Sequence, residues 1–592
     1  MSLLEHDDPR DHRLALGAAG LLREFNEAGV LEAADVHVAR RVTTLAGEPD
    51  PTVALAVALA VRAVRGGSVC VDLTTVADDS LLPDLSWPEP AAWFAALDAS
   101  PLTGEPSVLR LLDRRLLYLD RYWREEEQVC RDLLGRPDPQ PPTSEDAAAL
   151  EVAIDRVFPA AGYDEQRAAA RIALARGTTV LTGGPGTGKT TTVAALLALF
   201  ADQAHRAGSG DLRIALAAPT GKAAARLQQA VQEEVANLPD AADRARLGEL
   251  TAVTLHRLLG ARPDTAVRFR HHRENRLPHD VVVVDETSMV SLTMMARLLE
   301  AVRPESRLLL VGDPDQLASV EAGAVLADLV EGLGGRPDVR VAALRTSHRF
   351  GESIRRLAEA VREGDAEAAV DLLEAGGEHV EFVSGPDPQG RLRELLLPGA
   401  LGLVRAGEHG DAGAALDVLE QRRLLCAHRE GPHGVRHWNR QIERWLAEET
   451  GEPFWAPWYA GRPLLVTAND YGLGVHNGDT GVVVRRADGV LRAHVEGSTR
   501  RLDLATSRLG QAETMHAMTI HKSQGSQAGE VVVLLPPQDS RLLTRELFYT
   551  ALTRARDKVV IVGSPDDVRA AIQRRAQRAS GLQRRLADAP TP

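Results

Sequence analysis

The stretch TTVLTGGPGTGKTTTVAALLALFADQ, Thr178 to Gln203, decides the fold of this chain. A β-branched run comes first, a glycine-rich loop follows, and an apolar helical pattern ends the segment. The loop GGPGTGKT, Gly183 to Thr190, satisfies the pattern G-x-x-x-x-G-K-[ST] in the strand-to-helix context that this pattern requires. Its glycines let backbone N–H groups converge on phosphate oxygens, and the following helix N-terminus adds its positive end. The segment therefore predicts a nucleotide-binding strand, loop and helix.

Individual side chains around this loop have predicted roles in holding ATP. Lys189 supplies a point charge to the outer phosphates, and Thr190 can hold Mg²⁺. Gln166, just before the strand, carries a side-chain amide that can pair with both an acceptor and a donor of adenine. The residues predicted to bind the nucleotide are Gln166, Gly183, Gly184, Pro185, Gly186, Thr187, Gly188, Lys189, Thr190 and Thr191.

Strand patterns alternate with helical patterns on both sides of this loop, from about residue 160 to residue 360. RIALAAPT precedes KAAARLQQAVQEEV, VVVVDET precedes SLTMMARLLEAV, and RLLLVGDP follows. Repeated strand, loop and helix is typical of a parallel sheet covered on both faces. RRLLCAHR, EVVVLLPP and KVVIVGSP, all after residue 420, predict a second such sheet. We therefore predict an α/β fold with two parallel-sheet lobes.

The length of 592 residues requires several domains, because single cores stop growing near about 300 residues. A proline-rich stretch, Arg136 to Glu151, predicts a linker that ends in a capped helix. We predict a mainly helical N-terminal accessory domain at 1–135, a first lobe at 136–360 and a second lobe at 361–592. Alternating strands and Gly-containing turns between Asn477 and Leu504 predict a small SH3-like β-barrel inserted at about 470–508.

Composition limits where and how the protein can act. A net charge of -14 and a pI of about 5.8 argue against coating nucleic acid by bulk electrostatics, so any contact must be a local groove. Three scattered cysteines without C-x-x-C argue against a disulfide framework and a zinc site. The acidic start lacks the features of a secretory signal. The apolar run Val53 to Val61 is far shorter than the ~20 residues that span a bilayer, so we expect a buried helix there. We expect a cytoplasmic protein without membrane association.

Acidic residues at the end of a predicted buried strand indicate hydrolysis of the bound nucleotide. In VVVVDETSM, Asp285 is suited to Mg²⁺, and Glu286 to positioning or deprotonating a water that attacks the γ-phosphate. On a neighbouring strand, LLLVGDPDQL places Gln316 where its side chain can sense the γ-phosphate. The loop and these acids together predict an ATPase.

Two distant arginines can couple the lobes to this chemistry. Arg349 ends the first lobe in LRTSHRF, and Arg554 lies on a predicted helix of the second lobe in FYTALTRARDK. An arginine that reaches the γ-phosphate from an opposing lobe contributes on the order of 10³ to 10⁵ in rate. We include both among the predicted catalytic residues, with Lys189, Asp285, Glu286 and Gln316.

Polar loops at predicted strand ends of both lobes indicate a track for a nucleic acid strand. The loops are APTGKAA, TLHRLLG and TIHKSQGSQ, and their hydroxyl, amide and basic groups suit sugar and phosphate oxygens. The residues predicted to bind DNA are Pro219, Thr220, Lys222, Thr254, His256, His521, Lys522, Ser523 and Gln524.

Six motifs, in this order, resemble those of the superfamily 1 helicases, and most closely the RecD family: TGGPGTGKTTT, APTGKAA, DETSM, GDPDQLASVEAG, TIHKSQGS and YTALTRA. The resemblance covers about residues 160 to 563, and GGSVCVDL looks like part of the N-terminal domain of the RecBCD-associated form. It implies RecA-like lobes, ATP and Mg²⁺, and a bacterial 5′ to 3′ DNA motor. It also implies a heterotrimer with RecB-like and RecC-like subunits that acts at the ends of DNA double-strand breaks in homologous recombination and associates with the nucleoid.

Two features qualify this resemblance. Such helicases usually carry GSE and an aromatic after the polar turn, whereas this chain has Gln527 and Ala528. A glutamine accepts a hydrogen bond from a ribose hydroxyl without charge assistance, so we assign Gln527 no catalytic role. We find no carboxylate–lysine cluster suited to phosphodiester cleavage, so nuclease activity is expected in a partner chain.

Other functions remain open at this stage. The chain can be a stand-alone RecD-like helicase, a regulatory ATPase that clamps DNA without unwinding it, or an RNA motor. A partner-docking role for the apolar segment Val53 to Leu73 is a further expectation.

Overall fold

The computed structural model describes residues 11, 13–77, 85–159, 161–262, 265–346, 352–385, 388–470, 472–497 and 501–590, and it does not describe the side chains of 265–267. The N-terminal region is mainly helical. Its elements are α1 (Gly20–Glu27), α2 (Ala33–Ala46), α3 (Pro51–Arg65), β1 (Cys70–Asp72), α4 (Pro90–Ala99), β2 (Leu109–Leu112), β3 (Leu116–Leu119) and α5 (Asp120–Leu134). The three strands form an antiparallel sheet in the order β1-β3-β2.

Helix α3 is the centre of this N-terminal region. Asp50 caps it by accepting a hydrogen bond from the Thr52 N–H, and Pro51 occupies its first turn. Its apolar residues Val53 and Leu55 to Ala60 are almost fully buried in a core with Phe25 and Trp93. The predicted buried helix is confirmed. The apolar side chains of α3 thus face the region's own core, and a partner-docking role for Val53 to Leu73 stays a prediction that depends on the partly exposed residues after Ala60.

The first lobe is a parallel α/β unit. Its elements are α6 (Ser144–Val157), α7 (Asp164–Ala175), β4 (Thr178–Gly183), α8 (Lys189–Arg206), β5 (Ile214–Ala218), α9 (Gly221–Ala236), α10 (Ala241–Leu247), β6 (Ala252–Thr254), α11 (Leu255–Leu259), β7 (Ala261–Arg262), β8 (Thr265–Phe269), β9 (Val281–Val284), α12 (Leu292–Ala301), β10 (Arg307–Gly312), α13 (Val325–Gly334) and β11 (Val341–Leu344). The main sheet has the order β11-β4-β10-β9-β5-β6, and all its pairs are parallel. Strands β4, β10 and β9 are central and buried on both faces, as parallel strands in α/β folds are.

The second lobe repeats this plan with a different connectivity. Its elements are α14 (Glu352–Glu363), α15 (Ala366–Ala375), β12 (Val380–Val383), α16 (Gln389–Glu408), α17 (Ala412–Gln421), β13 (Arg422–Cys426), α18 (Val435–Thr450), the strands β14 to β18 given below, β19 (Ala517–Thr519), β20 (Ala528–Leu534), α19 (Arg545–Leu552), β21 (Ala555–Val562), α20 (Pro565–Gln573) and α21 (Leu582–Asp588). Its parallel sheet has the order β12-β21-β20-β13-β19. The predicted α/β fold with two parallel-sheet lobes is therefore confirmed.

A five-stranded antiparallel sheet is inserted between α18 and β19. Its strands are β14 (Pro463–Val466), β15 (Thr480–Arg485), β16 (Leu491–Glu496), β17 (Arg501–Ala505) and β18 (Ala512–Thr514), in the order β17-β16-β15-β14-β18. Its inward side chains, Val483 and Val495 among them, form a separate small core. The sheet extends beyond the predicted 470–508 on both sides. In the described part of the chain the edge strands β17 and β18 do not pair with each other, so closure into a barrel stays a prediction.

Two elements pack away from the lobe that the predicted boundaries assign them to. The predicted boundary at residue 360 falls inside α14, whose apolar side chains Ile354 and Leu357 belong to the core of the second lobe. Helix α21 belongs by sequence to the second lobe, but Leu582 and Leu586 are fully buried in the core of the first lobe. The chain therefore returns from the second lobe to the first at its C-terminal end.

None of the described helices has both the length and the apolarity that crossing a membrane requires.

Candidate active site

The phosphate-binding loop lies between β4 and α8, at the carboxyl edge of the first sheet. Gly186 and Gly188 adopt φ angles of 80° and 82°, which side chains other than glycine rarely tolerate. The Lys189 ammonium donates to the carbonyl oxygens of Gly183 and Gly184, at 2.6 and 2.9 Å. The Lys189 ammonium is thus held within the loop, where it can exchange these carbonyl oxygens for a phosphate oxygen.

A cavity of 670 Å³ opens at this loop, between the two lobes. Of the residues predicted to bind the nucleotide, those in its wall are Gln166, Pro185, Gly186, Gly188, Lys189, Thr190 and Thr191. Gly183, Gly184 and Thr187 lie behind them and support the loop, since the Thr187 hydroxyl donates to the Gly184 carbonyl. The predicted catalytic residues in the same wall are Lys189, Asp285, Glu286, Gln316 and Arg554. Arg349 lies outside the described residues.

Gln166 lies on α7 with its side chain directed into this cavity. The side chain is only 2% exposed, and its Oε1 is a buried atom that has no hydrogen-bond partner in the structure. A buried amide oxygen without a partner is costly, and a donor on a ligand would satisfy it. The residue therefore fits the predicted role of binding the exocyclic amine of adenine.

Three carboxylates converge on the phosphate side of the cavity. Asp285 and Glu286 follow β9, and Asp313 follows β10, so the parallel strands place all three at one edge. Burial raises the pKa of Asp285, and the neighbouring charge of Glu286 raises it further, while Lys189 opposes both. Burial also raises the pKa of Asp313. A cation placed among these groups would relieve the cost of ionising them.

The groups available there fit a magnesium ion. Thr190 offers a hydroxyl oxygen and Asp285 a carboxylate oxygen, which are hard ligands of the kind that Mg²⁺ uses together with phosphates and water. Glu286 has φ of 51°, a left-handed conformation that is uncommon for a residue other than glycine. Such strain is typical of functional positions, and here it turns the Glu286 carboxylate into the cavity beside Asp285.

Residues of the second lobe close the far side of the cavity. Arg554 lies just before β21 and is buried, and its Nη2 donates to Oε1 of Gln316 in the first lobe, at 2.9 Å. Gln316 in turn donates through Nε2 to Oδ2 of Asp313, at 2.8 Å. Burial lowers the pKa of Arg554, and the negative charges of Glu286 and Asp313 oppose that effect. An unbroken chain of hydrogen bonds thus joins the Asp313 carboxylate of one lobe to the Arg554 guanidinium of the other.

Residues that sequence reasoning missed, or gave no role, also line the cavity. Arg226 on α9 donates to Oε1 of Gln527 in the second lobe, at 2.7 Å, which makes a second bond between the lobes. Asp313 follows a buried strand as Asp285 does. This shared position after a strand is the sequence signal that could have identified Asp313. Nothing in the local sequence distinguishes Arg226 from a surface arginine on an amphipathic helix.

The residues predicted to bind DNA lie at strand ends, apart from the nucleotide cavity. Thr220 and Thr254 each accept a backbone N–H and cap α9 and α11, so part of their bonding capacity has a structural role. Pro219, Lys222 and His256 lie beside these caps. His521 and Lys522 follow β19, and burial lowers the pKa of His521.

Two members of that predicted track face the protein interior. The Ser523 hydroxyl donates to the Ile520 carbonyl, and Gln524 Nε2 donates to the Leu317 carbonyl of the first lobe, at 2.8 Å. Both side chains are buried. The prediction that Ser523 and Gln524 present donors to a strand is therefore wrong for this conformation, because their polar groups are already bonded inside the protein.

Comparison with known proteins settles the family. Residues 27–118 match the model of the RecBCD enzyme subunit RecD N-terminal domain, residues 162–383 an AAA domain, and residues 514–562 a UvrD-like helicase C-terminal domain. The RecBCD enzyme subunit RecD of Mycobacterium tuberculosis is 65% identical over 576 residues, which cover 97% of this chain and 98% of that protein. The chain belongs to the RecD family.

Two further relatives show the breadth of this family. The RecBCD enzyme subunit RecD of Mycolicibacterium smegmatis is 65% identical over 566 residues, 96% of this chain and 99% of that protein. A more distant relative, the ATP-dependent RecD2 DNA helicase of Deinococcus radiodurans, is 32% identical over 483 residues, 79% of this chain and 58% of that protein. The RecD family match thus extends over all three regions of this chain.

Proposed function

We propose that this chain is an ATP-driven motor that moves 5′ to 3′ on single-stranded DNA, as the RecD subunit of a RecBCD-type helicase–nuclease. The observation that carries the proposal is the Arg554–Gln316 hydrogen bond across the nucleotide cavity. Because this bond links lobe closure to the state of the phosphates, hydrolysis can drive movement. Family membership supports the DNA substrate, and a relative named as an ATP-dependent DNA helicase supports the activity.

Each residue of the cavity has a task in ATP hydrolysis. Gln166 holds the adenine, while Lys189 and the loop amides hold the phosphates. Thr190 and Asp285 would hold Mg²⁺, which would supply positive charge to offset the negative charge that develops on the phosphates. Glu286 orients the attacking water. Arg554 approaches the γ-phosphate from the second lobe and stabilises the charge of the transition state.

Movement requires that the two lobes hold the DNA strand at separate points. In the first lobe Pro219, Thr220 and Lys222 lie at the end of β5, and in the second lobe His521 and Lys522 lie after β19. Closing and opening of the cavity changes the spacing between these points, so the strand advances through a shift between two conformations.

The biological setting follows from the family. We place the chain in the bacterial cytoplasm, in a heterotrimer with RecB-like and RecC-like subunits that processes DNA double-strand breaks for homologous recombination. Its substrate there is a duplex end that yields single-stranded DNA. Nuclease chemistry belongs to a partner in this scheme.

The decisive experiment is DNA-stimulated ATP hydrolysis by the full-length chain and two variants. We expect Lys189→Ala to lose nearly all turnover, because the outer phosphates lose their cation. We expect Arg554→Ala to bind ATP but to hydrolyse it more slowly, by a factor on the order of 10³. Arg541→Ala, which alters an exposed arginine of the same lobe, is the matched control and should behave as the wild type.

Strand displacement distinguishes this proposal from its alternatives. The same preparation should displace a strand from a substrate with a 5′ overhang and leave one with a 3′ overhang intact. Hydrolysis without displacement would indicate a clamp, and preference for the 3′ overhang would reverse the proposed direction. Wild-type turnover in both Lys189→Ala and Arg554→Ala would overturn the mechanism.

A further inference from the structure

A second cavity, of 840 Å³, lies beside the nucleotide cavity and also opens between the lobes. We call it the lateral cleft. Its walls are α9 of the first lobe, the start of β13 and the turn before β20 in the second lobe, and the ends of β15 and β16 in the inserted sheet. Arg226 and Gln527 line both cavities, so the lateral cleft adjoins the site of hydrolysis.

Two cations, one from each lobe, face this cleft without a carboxylate partner. Among the described residues, the Lys222 ammonium makes no hydrogen bond and no ion pair. Arg423 is 6% exposed, and its guanidinium donates once, from Nη1 to the Ser526 hydroxyl at 3.2 Å, while its buried Nε has no partner. The neighbouring Arg422, by contrast, donates through two nitrogens to Glu530.

The acids of the cleft do not form close ion pairs with these two cations. Glu420, Asp479 and Glu496 also line it, but no described carboxylate lies within ion-pair distance of Lys222 or Arg423. Burial lowers the pKa of Lys222 to about 8, and the positive charge of Arg423 adds to that effect, while the charges of Glu496, Glu420 and Asp479 oppose it. Burial also lowers the pKa of Arg423, against the attraction of Glu420 and Glu496. Burial of the two cations is therefore costly in the ligand-free protein, and the charge of Arg423 adds to the cost at Lys222.

An oxyanion between these two groups would offset that cost. A phosphate oxygen accepts from an ammonium as well as from a guanidinium, and charge-assisted bonds of this kind are among the strongest that proteins make. Gln228, Gln229 and Gln232 of α9 line the same cleft, but their amides are already bonded within the protein, so the two cations are the groups that an oxyanion would meet.

We propose that Lys222 and Arg423 form a phosphate-binding site that holds one phosphodiester of the DNA strand between the two lobes. The inference rests on the proposed function as a DNA motor, and it adds a contact from the second lobe to the strand. Because one cation comes from each lobe, the site is complete only at one spacing of the lobes. The same chemistry can also hold inorganic phosphate leaving the adjoining nucleotide cavity.

The salt dependence of DNA binding tests this site. Fluorescence anisotropy of a labelled oligothymidylate, titrated with the full-length chain at several salt concentrations, gives the slope of log K against log salt. Each phosphate contact to single-stranded DNA contributes about 0.7 to that slope. We expect the Lys222→Gln and Arg423→Gln double variant, which removes this one phosphate contact, to reduce the slope by about 0.7, and Arg423→Gln alone to reduce it by no more than that. Arg393→Gln, an exposed arginine of the same lobe that pairs with Glu448, should leave it unchanged.

Thermal unfolding separates a binding residue from a structural one. Because Arg423 is buried with a single hydrogen bond, Arg423→Gln should keep or raise the unfolding midpoint of the ligand-free chain. The increase in midpoint that oligothymidylate produces should be smaller in the variant than in the wild type. If Arg423→Gln lowers the unfolding midpoint of the ligand-free chain and leaves the salt slope unchanged, Arg423 has only a structural role and the phosphate site is refuted.

Inorganic phosphate distinguishes the two sources of the ligand. Inorganic phosphate that binds the DNA-free wild type should raise its thermal unfolding midpoint, and this increase is the protection by phosphate. If Arg423→Gln leaves the salt slope unchanged but abolishes this protection, the site stands and its ligand is free phosphate. If neither the slope nor the protection changes, the site is refuted.

Wild-type DNA-stimulated ATPase, measured in the same preparation, separates these results from failure of the motor itself. A wild type that shows no stimulation contradicts the proposed function, whereas stimulation with an unchanged slope and unchanged phosphate protection contradicts the lateral site alone.

Discussion

The Asp285 carboxylate is costly to ionise in the ligand-free site. Its carboxylate lies beside Glu286 in a recessed part of the cavity, and both burial and that neighbour raise its pKa. A raised pKa means that the folded protein holds the proton more tightly than the unfolded chain does. Ionisation of Asp285 therefore costs folding free energy in the ligand-free protein, and a bound cation would remove that cost.

This cost predicts a pH-dependent effect of Asp285→Asn on stability. Below the unfolded pKa both states are protonated and the substitution changes little. As pH rises from the unfolded pKa to the raised folded pKa, the wild type loses stability that the variant keeps, on the order of 1 kcal/mol, and above the folded pKa the difference stays constant. Thermal unfolding without nucleotide should show a higher midpoint for the variant at pH 8 and a shrinking gain towards pH 4.

The control for this measurement is Asp539→Asn, which alters an exposed carboxylate of the second lobe and should give no pH-dependent gain. A gain in Asp285→Asn that is equal at all pH values would indicate a packing effect and would contradict the electrostatic explanation.

At the scale of elements, the C-terminal tail connects parts of the chain that are distant in sequence. Glu126 on α5 is buried and accepts from the Ser580 hydroxyl, the Gly581 N–H and Arg585 Nε. Burial raises the pKa of Glu126, and these donors oppose that shift. Leu582 and Leu586 of α21 pack below them. The tail thus fastens the end of the second lobe to the first lobe and to the N-terminal region.

Leu582→Ala should release this tail. A fully buried leucine replaced by alanine costs about 2 to 5 kcal/mol, and a seven-residue helix has little stability of its own. Limited proteolysis with mass analysis should show earlier cleavage between residues 574 and 590. Gln583→Ala, on the exposed side of the same helix, is the control and should cleave at the wild-type rate. Equal rates for Leu582→Ala and wild type would show that the tail is held by other contacts.

The tail also shows where sequence information ends. The phosphate loop and the acids at strand ends could be predicted because their patterns are local, a few residues long and tied to one backbone geometry. The apolar side of α21 consists of Leu582 and Leu586 within a basic stretch, which fits a solvated helix equally well. The acidic residue that the tail contacts, Glu126, lies more than 450 residues before it in the sequence. No local pattern predicts such a contact.

Ser523 and Gln524 failed as predictions for the same reason. Four consecutive donors suggested a surface that binds a strand, but the Gln524 amide reaches Leu317 in the other lobe. Whether a polar side chain faces solvent or a distant carbonyl depends on how the two lobes meet. Tertiary packing sets how the two lobes meet. The core of each lobe could be predicted from the sequence, whereas the contact between the lobes could not.

At the scale of the whole molecule, polar bonds between the two lobes surround the nucleotide cavity. Leu317 N–H donates to the Thr550 hydroxyl, at 2.8 Å, beside the Gln316–Arg554 bond. Buried hydrogen bonds polarise one another, so a charged ligand that enters the cavity would alter the whole set. The lobe contact is therefore suited to open and close with the nucleotide, while the two apolar cores stay intact.

The account depends on Gln316 and Arg554 acting as one unit, and a double-mutant cycle tests this most directly. DNA-stimulated ATPase rates of Gln316→Ala, Arg554→Ala and the double variant give their coupling energy. We predict that the double variant is about as slow as the slower single variant, because either change breaks the same link between the lobes. If the two losses multiply instead, the residues act independently, and hydrolysis is not coupled to lobe closure through this bond.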